Sequence, residues 1–297
     1  MVEPVGVSLL AMPSPLLTTD VVEELPVELV RRCGVITDVF DHRTQDSGNV
    51  SWLVDTQDGN LFVKSAGLPG PAPADAPTPY LDHDGRIALL RNAVALARSS
   101  SHPALANLRN VVESPVGPML VYDQARGELI GTSAERRGDP TSAYQRFAHL
   151  EPERQLAVFD QLIEVHAAIA AQGWVAADLY DGCLIVDFSA GRLTLIDLDT
   201  YQRGPGTNTM GRMFGSTRFM APEEHELGAP IDQRTTVFTI GRLVWHFGTQ
   251  LTELAESFCG GTELSRVIQD ACAQNRADRH PTVAKLADRW HAARTAV

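Results

Sequence analysis

The sequence predicts an α+β fold with two lobes, a β-rich first lobe followed by a helical second lobe. Val50, Trp52 and Val54 share one face by alternation, and so do Leu61 and Val63, which is typical of strands. Over residues 153–172 the apolar side chains recur instead at the spacing of an amphipathic helix. The chain has 297 residues, which is enough for two lobes with separate cores.

The first lobe is expected to contain a strand hairpin, a helix and a further strand. An Asp-Gly pair at residues 58–59 marks the turn of the hairpin. The predicted elements are strands within 36–64, a helix over 85–99 and a strand around Met119 and Val121.

Two segments beside these elements have different patterns. Residues 1–35 form an N-terminal extension in which Asp20 is expected to cap a short helix. The apolar stripe of that helix, expected to pack against the first lobe, is Val21, Leu25, Leu29 and Val30. Residues 67–79 hold five prolines and are expected to form an irregular insertion.

The second lobe is expected to begin with the long helix and to continue with a small hairpin and three further helices. A turn at Ala190-Gly191 separates the two strands of the hairpin. The predicted elements are helices over 153–172, 232–248, 262–274 and 282–294, and strands over 184–186 and 193–196.

Composition and charge narrow the possible functions. A net charge of −12 argues against broad binding of nucleic acid or of anionic membranes, so neither is expected as a partner. The four cysteines form no Cys-x-x-Cys pair, which favours reduced thiols over a disulfide framework. No apolar run approaches the roughly 20 residues that cross a bilayer, and Met1 to Leu17 lacks the basic start of a signal peptide. A cytoplasmic location is therefore expected.

Four short segments, in this order and at these separations, resemble the motifs of the protein-kinase fold. They are Phe62-Val63-Lys64, the loop 175–186 with Asp178, Asp197-Leu198-Asp199, and Gly215 to Glu223. The last reads Gly-Ser-Thr-Arg-Phe-Met-Ala-Pro-Glu and is the most specific, because it resembles the end of the kinase activation segment. The chain thus resembles serine/threonine-kinase-like proteins of bacteria with divergent catalytic motifs.

The resemblance implies a bilobal protein-kinase-like fold. It places the N-lobe over 36–124, including the insertion 67–79, and the C-lobe over 125–297. In the family, Glu223 would pair with a buried arginine from a late helix, and Arg279 stands at the matching position.

The resemblance also implies phosphoryl transfer that uses ATP and Mg²⁺. Lys64 would position the nucleotide phosphates, and Asp178 would orient the acceptor hydroxyl. Asp197 would hold Mg²⁺, and Asp199 would be either a second metal ligand or a turn residue.

Two further segments would contact the nucleotide itself. Gly48 and Asn49 belong to the loop that would close over the phosphates, since backbone N–H groups approach oxygen closely at glycine. The segment Tyr122, Asp123 and Gln124 resembles the hinge, whose backbone groups would meet the adenine.

Several positions depart from the kinase pattern. Cys183 stands where an asparagine oxygen would bind a second Mg²⁺, and Asn92 stands where a glutamate would pair with the lysine. Ala177 replaces the arginine that would read an activation-loop phosphate, and Thr236 replaces the aspartate that braces the catalytic loop. Gly48 is the only glycine of a loop that usually has three.

Three functions are compatible with this pattern. The first is an ATP-dependent kinase for protein Ser or Thr, indicated by the Gly215–Glu223 segment. The second is a kinase for a small molecule, a metabolite or an antibiotic, indicated by the Gly48-Asn49 loop. The third is a pseudokinase that binds nucleotide as a regulator, indicated by Cys183 and Asn92. The expected partner is a protein or small-molecule phosphate acceptor.

Overall fold

The computed structural model describes residues 13–44, 48–71 and 81–295, and these form two compact units. The first unit contains the described residues up to Leu90 together with Asn107–Gln124. The second unit contains Arg91–Ala106 and the described residues from Ala125 onward. Most of the proline-rich segment 67–79 and the beginning of the N-terminal extension lie outside the described residues.

The first unit is built on a five-stranded antiparallel sheet in the order β1-β2-β3-β5-β4. Its elements are α1 (Pro15–Thr18), α2 (Pro26–Cys33), β1 (Val35–Phe40), β2 (Val50–Thr56), β3 (Gly59–Ser65), the start of α3 (His83–Ser99), β4 (Leu108–Ser114) and β5 (Gly117–Asp123). The predicted hairpin is confirmed, because Thr56 pairs with Gly59 across a two-residue turn. Gly59 has a φ of 104°, a backbone angle that favours glycine.

The two faces of this sheet differ in composition, as the alternation predicted. Trp52, Val54, Leu61 and Val63 share one face and lie in the apolar core of the unit. Lys64 points to the other face because side-chain direction alternates along β3. Its neighbours across the ladders are Ser51 and Leu120.

The N-terminal segment is an integral part of the first unit, which confirms that it packs against the strands. Leu16, Leu29 and Val30 are fully buried in the same core as the sheet. The amide of Asn110 on β4 also donates hydrogen bonds to the carbonyl oxygens of Leu16 and Thr19.

The predicted start of the helix in this segment is wrong. Asp20 caps no helix, and Val21 is 63% exposed and forms a parallel bridge with Glu113. Helix α2 begins at Pro26, because proline is favoured at the first helical position. Proline also holds the preceding residue, Leu25, in an extended conformation. Helix α2 therefore cannot begin before Pro26.

The second unit is mainly helical and has its own apolar core. Its elements are the rest of α3, β6 (Glu128–Leu129), α4 (Ala143–Ala148), α5 (Pro152–Ala171), β7 (Trp174–Val175), β8 (Leu184–Asp187), β9 (Arg192–Leu195), β10 (Gln202–Arg203), β11 (Gly206–Thr207), β12 (Pro230–Ile231), α6 (Gln233–Gly248), α7 (Gly261–Ala271) and α8 (Val283–Arg294). Helix α5 packs against α6 and α8. Phe147, Phe159 and Phe247 meet edge to face in this core.

Local signals explain where these helices begin. Glu151 accepts hydrogen bonds from the first N–H groups of α5, and Pro152 occupies the first helical position. Thr282, the first residue of the predicted helix 282–294, caps α8 by accepting from the Lys285 N–H. The predicted hairpin is also present, since β8 and β9 pair through Asp187 and Arg192.

The small strands of the second unit connect these helices. They form a three-stranded sheet in the order β6-β8-β9 and the two pairs β7–β10 and β11–β12. The predicted α+β class is therefore confirmed, and this mixture of an antiparallel sheet with helices is compatible with a kinase-like fold. Within the part of the chain that the structure describes, no helix has both the length and the apolar character to cross a membrane.

Candidate functional site

Asp178 lies in the connection between β7 and β8, which several hydrogen bonds hold in place. The N–H of Ala176 donates to the Thr236 hydroxyl at 3.0 Å, so the threonine on α6 braces this loop. The thiol of Cys183 donates to the Asp178 carbonyl oxygen at 3.3 Å. The Cys183 N–H donates to the Tyr180 carbonyl at 3.0 Å and closes the turn between them.

The backbone of Asp178 and Asp197 is unusual. Their φ angles are 57° and 60°, in the left-handed region that side chains other than glycine rarely adopt. Among the described residues, only three other non-glycine residues have positive φ: Gln250, Leu251 and Glu253. Such conformations are costly and concentrate at functional sites. The two carboxylates that the sequence singled out are thus two of the five strained positions.

The structure brings Asp178 and Asp197 close to the same buried thiol. Burial, and then the charges of Asp197 and Asp178, raise the pKa of Cys183 well above its ordinary value. The Ile196 N–H, one residue before Asp197, donates to the Cys183 carbonyl at 2.9 Å. Burial, with the charges of this cluster, likewise raises the pKa of Tyr180. Asp178 and Asp197 therefore both lie near Cys183 in the second unit.

Cys183 is a neutral thiol at physiological pH and does not suit Mg²⁺, which prefers oxygen. Asp197 is exposed, whereas Asp199 is 5% exposed and lies in a turn. Within the described ranges, no group of three His, Cys, Asp or Glu side chains lies close enough together to hold a metal ion. Mg²⁺ that keeps its waters and shares nucleotide phosphates needs only one or two carboxylates. Asp197 could supply one, and a ligand role for Asp199 stays a prediction.

Asn92 on α3 connects to the segment after Asp197. Its side-chain N–H₂ donates to the Asp199 carbonyl at 2.9 Å and also to the Tyr201 carbonyl. The amide that stands at the glutamate position of the kinase pattern therefore holds the backbone of this segment.

In the first unit, the predicted phosphate-binding residues lie toward one end of the sheet. Val50 pairs with Ser65, so Gly48 and Asn49 lie at the end of the sheet where β3 carries Lys64. Gly48 has a φ of 77°, which suits a loop that closely approaches a ligand. Asn49 is fully buried, and Lys64 is 7% exposed.

The predicted hinge residues are also in the first unit. Tyr122 pairs with Phe62 on β3, on the face that carries Lys64. The N–H groups of Asp123 and Gln124 donate to carbonyl oxygens of this same unit, on Asn107 and Asn60. A base that binds here would therefore need hydrogen-bond donors other than these two N–H groups.

The predicted site residues thus divide between the two units. The first unit contains Gly48, Asn49, Lys64, Tyr122, Asp123 and Gln124, and the second contains Asp178, Asp197 and Asp199. The roles assigned to these nine residues stay predictions.

Glu223, at the end of the Gly215–Glu223 segment, forms the predicted pair with Arg279. The guanidinium donates two parallel hydrogen bonds, at 2.8 and 3.1 Å, to the two carboxylate oxygens. Arg276 and Thr235 donate to the same carboxylate, which is 3% exposed. Burial by itself would raise the pKa of Glu223, but the hydrogen bonds and charge of Arg279 hold it below its ordinary value.

A second ion pair of this segment had no signal in the sequence. Arg218 donates through one nitrogen, Nη2, to both carboxylate oxygens of Asp181 at 2.9 Å. The two residues are 37 positions apart, one in the Asp178 loop and one in the Gly215–Glu223 segment, and the sequence assigned neither of them a role. Gly215 also lies against Asp178, since a Cβ on this glycine would be 3.8 Å from the Asp178 Cα.

Comparison with known proteins supports a relationship to protein kinases over part of the chain. Serine/threonine-protein kinase 1 of African swine fever virus is 30% identical over 98 residues, in the tick isolate from Pretoriuskop, the warthog isolate from Namibia and the Badajoz strain. The match covers 33% of this chain and 33% of each viral protein, so the chain spans about a third of the length of these relatives. No family model matches the chain.

Proposed function

We propose that the protein is an ATP-dependent phosphotransferase that transfers the γ-phosphate to a Ser or Thr hydroxyl of a protein acceptor. The observation that carries this proposal is the pair of strained carboxylates, Asp178 and Asp197, beside one buried thiol. Phosphoryl transfer needs a carboxylate at the acceptor and another at the metal.

Each residue has a distinct role in the proposal. When bound, Mg-ATP supplies the transferable phosphoryl group and the charge that shields its oxygens. Lys64 binds the phosphates, Gly48 and Asn49 close the loop over them, and an Asp197 oxygen would ligate the metal. Asp178 orients the acceptor hydroxyl and can take its proton as the oxygen attacks.

The Gly215–Glu223 segment supports a protein acceptor over a small molecule. In the kinase pattern this segment shapes the peptide-binding surface, and here Glu223 anchors it through Arg279, Arg276 and Thr235. A segment held this firmly can present a fixed surface to a peptide.

One observation favours a second candidate, a pseudokinase that binds nucleotide without transferring phosphate. Cys183 is a neutral, buried thiol where a second metal ligand would be needed. Binding and transfer must therefore be measured separately.

Binding is tested by the thermal stability of the protein with ATP, in the presence of Mg²⁺, Mn²⁺ or EDTA. Ligand at a hundredfold excess over Kd stabilises the folded state by about 2.7 kcal/mol, so a metal-dependent rise in Tm is expected. No rise under any metal condition would contradict nucleotide binding and with it the proposal.

Transfer is tested by ATP-dependent phosphate incorporation into generic proteins, aminoglycosides and nucleosides in parallel. We expect incorporation into protein Ser or Thr. Incorporation into the small molecules alone would identify a small-molecule kinase, and binding without any transfer would identify the pseudokinase.

A further inference from the structure

Asp181 is a buried carboxylate in the same loop as Asp178. Its side chain is 1% exposed, in the short turn Asp181–Cys183 that leads into β8. A buried carboxylate needs a partner, and both of its oxygens accept from Nη2 of Arg218 at 2.9 Å. The loop and the Gly215–Glu223 segment are therefore joined by an ion pair.

Arg218 is itself held in place by aromatic side chains. Its guanidinium carbon lies 4.6 Å from the ring centre of Phe219 and 6.0 Å from that of Tyr144. Arginine stacks favourably on aromatic rings. The rings of Phe219 and Tyr144 thus help to hold the guanidinium in its orientation toward Asp181.

A chain of polar contacts supports the backbone of Arg218. Arg242 donates to the Arg218 carbonyl at 3.5 Å and to Glu253 at 3.0 Å. Glu253 in turn bonds His246 at 2.7 Å, and His246 bonds the Tyr144 hydroxyl at 2.6 Å. Because the Tyr144 ring lies beside the Arg218 guanidinium, this series of contacts begins and ends at Arg218.

We propose that the Asp181–Arg218 ion pair permanently positions the Asp178 loop against the Gly215–Glu223 segment, so that phosphorylation is not needed. The segment meets the loop twice, through Gly215 at Asp178 and through Arg218 at Asp181. Ala177 gives this chain no arginine at the position that would bind a phosphorylated residue. The ion pair joins the loop to the segment through two unmodified side chains, where the kinase pattern would use a phosphate and an arginine.

This inference rests on the proposed function, and it makes Arg218 and Asp181 positioning residues. They act through Asp178, so their loss should lower kcat for phosphate transfer without changing nucleotide affinity. Nucleotide affinity is the control within each variant, because a general loss of structure would change both quantities.

The variants Arg218→Gln, Asp181→Asn and the double variant form a cycle that tests the coupling. Each single variant should lower kcat about tenfold, and the double variant should be no worse than the more affected single one. Arg266→Gln is the matched control, since Arg266 forms an exposed ion pair with Glu263 on α7 and should leave kcat unchanged. All rates are measured at a temperature at which circular dichroism finds every variant folded.

Arg218→Gln leaves a buried carboxylate unpaired and could unfold the protein. The double variant removes both charges, so it leaves no unpaired buried charge. If Arg218→Gln does not fold, kcat of the double variant is the quantity that tests the inference. A folded double variant with kcat within twofold of the wild type would overturn the inference.

Hydrogen exchange separates failure of this inference from failure of the proposed function. Amides 178–183 should exchange at least tenfold faster in the double variant than in the wild type, with or without phosphate transfer. Faster exchange in a protein that transfers no phosphate would refute the proposed function and support the ion pair as the positioning contact. Unchanged exchange would overturn the inference.

Discussion

Asp178 and Asp197 combine a left-handed backbone with a carboxylate that the sequence assigns to chemistry. Aspartate tolerates this conformation better than most residues, because its short polar side chain can bond locally. Two strained residues in one cluster indicate that the fold holds each carboxylate in a particular direction at an energetic cost. Asparagine keeps the shape and the tolerance of this backbone and removes only the charge, so it is the informative substitution.

Asp178→Asn should abolish phosphate transfer and keep nucleotide affinity, since this side chain is assigned to the acceptor and not to the nucleotide. Asp178→Ala should do the same and also lose on the order of 1 kcal/mol of stability, because alanine fits a φ of 57° less well. Transfer rates, nucleotide titrations and urea unfolding give the three quantities. Exposed Asp288→Asn serves as the control. Full transfer by Asp178→Asn would show that the loop has been assigned wrongly.

Asp197→Asn should weaken the binding of nucleotide only when metal is present. An amide oxygen is a poorer ligand for Mg²⁺ than a carboxylate, so the Tm rise caused by Mg-ATP should shrink by at least half. The rise caused by ATP in EDTA should not change. An unaltered Mg²⁺ dependence would remove Asp197 from the metal site.

At the scale of the element, the Gly215–Glu223 segment is held by buried charge. Glu223 binds two arginines and a threonine, and Glu224 beside it caps the short turn through the Ala221 N–H. The two carboxylates differ in environment, because Glu223 accepts from the Arg279 guanidinium whereas Glu224 accepts from the backbone N–H of Ala221. The two side chains should therefore respond differently to mutation and to pH.

Arg279→Met should lower the free energy of unfolding by about 3–5 kcal/mol, because it leaves Glu223 buried with less compensation. Lys285→Met is the matched control, since Lys285 forms an exposed pair with Asp288. Exposed pairs contribute less than about 1 kcal/mol. Urea unfolding of both variants measures the difference, and equal small losses would mean that the buried pair does not anchor the segment.

Glu224 should make stability depend on pH. Burial raises its pKa to about 7, and the charge of Glu223 adds to this. Between the ordinary value of 4.5 and about 7, the folded state binds more protons than the unfolded chain. Its contribution to the free energy of unfolding therefore falls as pH rises, by on the order of 3 kcal/mol in total.

The variant Glu224→Gln isolates this contribution from those of other groups. Burial lowers the pKa of His166 to about 4, which destabilises the protein in the acid direction in both variant and wild type. Unfolding curves from pH 4.5 to 8 should show the variant gaining relative stability as pH rises. Parallel curves would show that Glu224 titrates normally.

At the scale of the whole molecule, each unit has its own core, and the N-terminal segment belongs to the first. Helices α1 and α2 cover the face of the sheet opposite Lys64, so truncation before β1 would expose Trp52, Val54 and Val63. The second unit contains the strained carboxylates, and in it an ion pair joins the loop of Asp178 to the Gly215–Glu223 segment. If the Asp181–Arg218 pair positions the loop as proposed, phosphate transfer needs no phosphorylation of this segment.

The double variant Thr207→Ala and Thr209→Ala should transfer phosphate at the wild-type rate. Thr209 is exposed and accessible to modification, but Ala177 stands at the position where the kinase pattern has the arginine that binds such a phosphate. Rates of the variant and of phosphatase-treated wild type should agree within twofold. A tenfold loss in the variant would show that a phosphate on this segment is needed.

Much of the fold could be predicted because short-range patterns carry it. Alternation placed Trp52 and Val54 in the core, and the helix predicted over 282–294 agrees with α8, which begins after its cap Thr282. Where two local signals competed, the prediction failed. Asp20 is a good cap, but Pro26 determines where α2 begins because its ring constrains the backbone of its neighbour.

The sequence by itself determined the α+β class, the order of the motif residues and the pairing of Glu223 with Arg279. These follow from periodicity and from spacings that a family pattern repeats. Only the tertiary structure decided that Asp178 and Asp197 share a strained backbone beside Cys183, that Asn92 holds the following segment, and that Arg218 neutralises Asp181. The reason is physical: strain and the pairing of buried charges depend on distances between atoms far apart in the chain, and no local pattern encodes such distances.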